Sequence, residues 1–177
     1  MKKYLPLFIV IPLTLLLDHW SKFCIVQNLK LYEDIPIIKG FFEITHVRNP
    51  GIAFGMFANW DSQTKLWFFY AITLIAIFLM SLMYRSSQNH ERKIQIPLAL
   101  IMGGALGNMT DRMYRGNVVD FLHFHWKDKI IDLNLGSWSY ALKLSWPSFN
   151  VADIAISCGA IFLAIVILFG KHEEKET

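Results

Sequence analysis

The chain has 177 residues, 54% of them hydrophobic and only 18% charged, with a formal net charge of +3. That balance excludes an ordinary water-soluble domain and fits a small multi-span membrane protein. Two cysteines, both in or beside apolar runs, exclude a disulfide framework and read as small core residues. No isolated basic tract points to nucleic acid as a partner.

In chain order, the first apolar run covers residues 4–24, interrupted by Asp18 and Lys22. It follows a basic Met1-Lys2-Lys3, but it is long for a signal-peptide core and no small-residue cleavage site follows it. An uncleaved first span is expected. Thr14, Asp18 and Lys22 recur every four residues and so share one helix face, where acid and base can pair. Such a pair reads first as structural, a way of seating two charges at the end of a bundle.

Residues 25–65 form a first outer segment. Phe41-Phe42-Glu43-Ile44-Thr45-His46-Val47 predicts a strand, and Asn49-Pro50-Gly51 a turn. The glycine-punctuated apolar stretch 51–57 is expected to lie in the membrane interface. Residues 66–84 carry no charge and predict a second span, about the 20 residues a bilayer requires. Residues 94–112 predict a third, weaker span with Gln95, Pro97 and three glycines. Within it Gly103 and Gly107 allow close helix approach. Asn108, Asp111 and Arg112 follow on one side of one turn, where Asp111 and Arg112 invite an ion pair.

A second outer segment covers residues 113–150. On a strand, Val118, Asp120, Leu122, Phe124 and Trp126 share one face, which leaves Asp120 as the lone polar group on an apolar surface. Desolvation there raises a carboxyl pKa. His123 and His125 face the opposite side, and two histidines without a third ligand make an incomplete metal site. Residues 130–147 add strand-like sequence with Gly136-Ser137 as a hairpin turn, and the tryptophans suit a membrane boundary. Residues 151–170 predict the fourth span, with Asp153 as its only charge and Asn150 three residues earlier. Asn150 as helix cap and Asp153 as a carboxylate on the helix dipole are the plain structural readings of that pair.

Orientation follows short-loop charge. Residues 1–3, 85–93 and 171–177 hold seven Lys or Arg in 19 positions, against nine in 82 for residues 25–65 and 110–150. The dense set is expected in the cytoplasm, with both termini, although raw counts favour the reverse. The polar groups then gather at the outer boundary. Two carboxylates held close resist double ionisation and can share one proton, which suits peptide hydrolysis through water. No Gly-x-Ser-x-Gly or His-Glu-x-x-His motif offers other hydrolytic chemistry. The rival class is a proton-coupled small membrane transporter, whose buried acids belong at mid-membrane on broken helices.

The sequence also resembles the bacterial lipoprotein signal peptidases, or signal peptidase II, an intramembrane aspartic peptidase family. The resemblance rests on Asp18-His19-Trp20-Ser21-Lys22, Asn49-Pro50-Gly51-Ile52-Ala53-Phe54-Gly55, Gly107-Asn108-Met109-Thr110-Asp111-Arg112, Gly116-Asn117-Val118-Val119-Asp120-Phe121 and Phe149-Asn150-Val151-Ala152-Asp153, in that order along nearly the whole chain. It implies a bundle of four transmembrane helices with a small extracytoplasmic β-rich cradle and an interfacial segment, in the bacterial inner membrane. It implies cleavage of diacylglyceryl-modified prolipoproteins on the N-terminal side of the lipidated cysteine. Asp120 and Asp153 map onto the family's catalytic dyad, and Asn49, Asn108, Arg112 and Asn150 onto its substrate- and inhibitor-contacting positions. Asp18, Lys22, Asp111, Gly51 and Phe54 map onto supporting positions. The resemblance implies no metal or organic cofactor, and block by the cyclic peptide globomycin. The stretch 126–147 is longer than in compact members, and Pro50 follows Asn49, so the outer rim is expected to differ in shape.

Overall fold

A computed structural model describes residues 2–51, 60–89, 91–135 and 138–169, with the side chains of 127–143 left out of the description. Phe54 and the rest of the segment 52–59 therefore lie outside the described residues, as does the turn expected at Gly136-Ser137. A single 3-10 turn leads into helix α1 (Leu5–Asn28). Strands β1 (Asp34–Ile38) and β2 (Phe42–Asn49) follow, then helices α2 (Ser62–Ser86) and α3 (Arg92–Arg115). Strands β3 (Val118–Leu135) and β4 (Trp138–Ser145) precede helix α4 (Val151–Phe169).

The helix ends follow from local chemistry. Asp61 caps α2, its Oδ1 accepting from the backbone N–H of Gln63 at 3.0 Å and of Thr64 at 2.9 Å. Proline stands in the first turn of α1, where its missing N–H removes no helical bond. Three helices, at Lys2–Asn28, Ser62–Ser86 and Val151–Phe169, are long and apolar enough to cross a membrane. Their outward faces expose Phe8, Leu16, Ile75, Phe78, Ile161 and Leu168, surfaces that water would not tolerate and lipid would. Cys158 belongs to that outward surface and Cys24 is half-buried, which corrects the reading of both as core residues. A small residue in an all-apolar helix gives no signal of which side faces lipid.

Helix α3 is less apolar because it is the centre of the bundle, packed against α1, α2 and α4. It buries Gln95, Pro97, Leu98, Met102, Asn108 and Asp111 among others, so its polar groups meet protein and not lipid. Close approach needs small residues at the contact. A Cβ on Gly107 would lie 2.7 Å from Asp18 Oδ2, so only glycine lets α1 deliver that carboxylate against α3.

The four strands form one antiparallel sheet in the order β1-β2-β3-β4. Ile25 at the end of α1 packs with Val119 and Phe121 of β3, anchoring the sheet to the bundle. The chain leaving β4 returns to β3, with Phe121 and Leu122 N–H both donating to Phe149 O at 3.0 and 2.9 Å. That return sets residue 150 beside residue 120 before α4 begins.

Candidate active site

The site lies where β3, α3 and the first turn of α4 converge at the sheet end of the bundle. Asn150 and Asp153 cap α4 reciprocally. Asn150 Oδ1 accepts from Asp153 N–H at 3.0 Å, and Asp153 Oδ2 accepts from Asn150 N–H at 3.1 Å. Both structural readings from the sequence thus hold, and they leave the Asn150 amide NH2 unspent. It donates to Asp120 Oδ1 at 2.7 Å and also reaches Asn108 Oδ1 at 3.2 Å and Val119 O at 3.3 Å. One asparagine therefore holds both carboxyl groups, Asp120 by its side-chain NH2 and Asp153 by its backbone N–H.

Two further asparagines complete the acceptor sites. Asn108 Nδ2 donates to Asp153 Oδ1 at 2.8 Å, and Asn49 Nδ2 to Asp120 Oδ2 at 2.9 Å. Asn49 comes from β2, where it pairs with Val118, two residues from Asp120 on β3. Its own oxygen accepts from Gly51 N–H at 2.8 Å, which fixes the amide orientation. Gly51 has φ +88°, and a Cβ there would overlap Phe69 of α2, at 2.0 Å from its Cε2. A turn this tight against an aromatic ring admits glycine alone.

Asp120 is 3% exposed. Burial is the main cause that pushes its carboxyl up to about 6, with the neighbouring Asp153 charge adding to the rise and the Asn49 and Asn150 hydrogen bonds opposing it. The apolar strand face read from the sequence produces the expected direction.

Behind the two carboxyls lies a buried ionic core. Lys22 Nζ contacts Asp18 Oδ2 at 2.8 Å and Asp111 Oδ2 at 3.0 Å, and donates to Asn108 Oδ1 at 3.1 Å. Asp18 Oδ1 accepts from Ala152 N–H at 3.0 Å, and Asp111 Oδ2 from Val119 N–H at 3.2 Å. Asp18, Lys22 and Asp111 are each 0% exposed. Helices α1 and α3 are thereby tied to α4 and β3 at the residues adjoining Asp153 and Asp120. Among the described residues Asp111 pairs with Lys22 and Arg115, which replaces the expected Asp111–Arg112 pair. Consecutive helix residues point about 100° apart, so Asp111 turns inward while Arg112 turns toward α2.

Arg112 lies over the Phe69 ring, 4.5 Å from its centroid, and its Nη1 is 3.4 Å from Asn108 O. Its Nε is buried with no partner among the described residues. The sequence-predicted residues Asp18, Lys22, Asn49, Gly51, Asn108, Asp111, Arg112, Asp120, Asn150 and Asp153 thus fall in one connected region. Arg115 and Phe69 were missed. Arg115 stands at i+4 from Asp111 and was legible by spacing, while Phe69 needed the packing of α2. Chemically, the site offers two carboxyls held by one asparagine, a neutralised charge network behind them, and a guanidinium with a donor to spare.

A model of the family described as signal peptidase (SPase) II matches residues 10–169. The chain is 40% identical to a lipoprotein signal peptidase of Syntrophus aciditrophicus, over 99% of each chain. It is 42% identical to one of Pasteurella multocida, over 92% of this chain and 88% of that one. Its fold is similar to a solved structure described as a bacterial membrane enzyme, with a TM-score of 0.74, 27% identity, and coverage of 97% of this chain and 92% of that one.

Proposed function

The chain belongs to the signal peptidase II family, and from that premise we propose that Asp120 and Asp153 are its catalytic pair. The protein is a membrane-embedded aspartic endopeptidase that removes signal peptides from prolipoproteins. The observation that carries the dyad assignment is Asn150, which donates to Asp120 while exchanging two hydrogen bonds with Asp153. Two acids tied to one asparagine support a reading in which both act on one water.

Asp120 holds the shared proton, because burial raises its carboxyl. Asp153 is the partner that acts as the base, and its oxygens accept from Asn108 Nδ2 and Asn150 N–H. Asp153 takes a proton from water as the water oxygen attacks the scissile carbonyl. Asp120 donates its proton to the carbonyl oxygen. Collapse of the tetrahedral intermediate returns that proton to Asp120, breaks the C–N bond and passes the Asp153 proton to the departing cysteine nitrogen. Arg112 holds a substrate carbonyl with the guanidinium donors left over from its stacking on Phe69. Asn49, Asn108 and Asn150 both orient the acids and contact substrate. Asp18, Lys22, Asp111 and Gly51 support the site.

The substrate is diacylglyceryl-modified at the cysteine following the cut, and globomycin blocks the dyad. Helix α3 is the fourth span, its polarity offset by protein on several sides. Both termini lie in the cytoplasm and the site faces the outer leaflet of the bacterial inner membrane, where a lipidated cysteine resides. Among the described residues nothing favours a transporter, since the acids sit at the sheet end of continuous helices and not at a mid-membrane break.

A single turnover in water enriched in heavy oxygen tests the chemistry. Water attack puts one heavy atom in the new carboxylate of the released signal peptide. An unlabelled first-turnover product would mean that an enzyme carboxylate attacked directly, and the proposed roles would fall.

A further inference from the structure

The sheet carries a second cluster of ligating side chains, on the face of β3 opposite Asp120. We propose that Glu43, His123 and His125 form a binding site for a divalent transition-metal ion of the zinc class on the outer rim of the protein. The two histidines alone are an incomplete ligand set. Strand register supplies the third member. Glu43 of β2 stands directly opposite His123 of β3, and His125 follows two residues on, on the same face. Their ligand atoms all lie within 4.8 Å of one another. His123 Nδ1 is 2.7 Å from Glu43 Oε1, and His125 Nε2 is 3.3 Å from Glu43 Oε2. Nitrogen and oxygen ligands on tetrahedral zinc, at about 2.0–2.2 Å from the metal, stand about 3.3 Å apart. One pair has that spacing already, and the other reaches it by a shift of a few tenths of an ångström at each atom.

Two features mark this as more than a cross-strand hydrogen bond. Ser145 of β4, paired with His125 across the sheet, has its Oγ 2.8 Å from His123 Nε2. Accepting the Nε2 proton there leaves the Nδ1 lone pair of His123 facing the cluster, the outer partner a ligating imidazole needs. The three side chains also open onto a cavity of about 230 Å³ whose lining includes Asp34, Trp126 and Ser145. Asp34 of β1 lines the cavity without belonging to the cluster, so water completes the coordination. Two imidazoles and a carboxylate are borderline donors that suit zinc, whereas calcium and magnesium prefer oxygen throughout. An ion here joins β2 to β3, the strand that carries Asp120, without touching the dyad.

The test uses the full chain in detergent, freed of any affinity tag and stripped with a chelator, and titrated with Zn2+ against a chromophoric competitor. The expected result is one Zn2+ per chain, lost in Glu43→Gln and in His125→Ala, and weakened about 10–100-fold in Ser145→Ala. Zn2+ raises the unfolding temperature of the unsubstituted protein and leaves that of Glu43→Gln unchanged. Substitution by Co2+ gives the visible bands of a four-coordinate ion. Glu43→Gln keeps the side-chain shape and one acceptor oxygen, so it decides the matter even if His125→Ala does not fold. Binding no tighter than that of Glu43→Gln, or stoichiometric binding that survives in it, overturns the site. These readouts are independent of peptide cleavage, so they stand or fall apart from the catalytic reading.

Discussion

Replacing Asp120 by Asn separates the energetic cost of this carboxyl from everything else in the fold. Its folded-state pKa is about 6 against an ordinary 3.8, and the difference of 2.2 at 1.36 kcal/mol each is about 3 kcal/mol. Below about pH 4 the group is protonated whether the chain is folded or not. Between about 4 and 6 the folded chain keeps a proton that the unfolded chain has released, so stability falls as pH rises. Above 6 the loss is complete and constant. Asn does not titrate. The Asn variant loses an acceptor for the Asn49 amide, an offset that is the same at every pH. Plotting variant minus unsubstituted stability against pH removes that offset and every unrelated group. The assay is reversible unfolding in mixed micelles, followed by tryptophan fluorescence from about pH 3.5 to 8. The difference should move by about 3 kcal/mol in the variant's favour across that window. A flat difference, or a change of opposite sign, would refute the reasoning that burial dominates at Asp120.

The same proton governs activity, so cleavage measured against pH should rise and fall, with an alkaline limb near 6 where Asp120 ionises. Lys22→Met leaves Asp18 and Asp111 buried without their shared cation, a cost of about 3–5 kcal/mol, and should reduce the yield of folded protein in detergent. Gly107→Ala forces a methyl against Asp18 and should lower stability by about 1–3 kcal/mol, measured by the same unfolding assay. Asn150→Ala removes both the side-chain cap of α4 and the Asp120 hydrogen bond. It should slow cleavage by about 2–10-fold, since a hydrogen bond between neutral groups contributes about 0.5–1.5 kcal/mol.

Local patterns in the sequence reached as far as single elements do. The every-fourth spacing of Thr14, Asp18 and Lys22 identifies a helix face that is buried throughout. The alternation from Val118 to Trp126 identifies the apolar strand face that raises Asp120. The charge-free run 66–84 falls inside α2. What the sequence withheld depends on contacts between elements. Nothing local says that Lys22 serves Asp111, 89 positions later, as well as Asp18. Nothing local says that Ala152 N–H ties α4 to Asp18. Strand register likewise is set by the hairpin and the sheet packing, so the meeting of Glu43 with His123 and His125 is invisible until β2 and β3 are aligned. Asn150 illustrates a different point. The sequence shows it as a helix cap and gives no sign of its contact with Asp120, yet an amide has an acceptor at one end and donors at the other, so it does both.

The most direct measurement is cleavage of a diacylglyceryl-modified prolipoprotein by Asp153→Asn and by Asp120→Asn, each in detergent and each checked for a native unfolding transition. Both folded variants should be slower than the unsubstituted enzyme by at least about a hundredfold, the lower end of what a positioned acid or base contributes. A folded variant of either kind that retains substantial turnover would contradict the dyad.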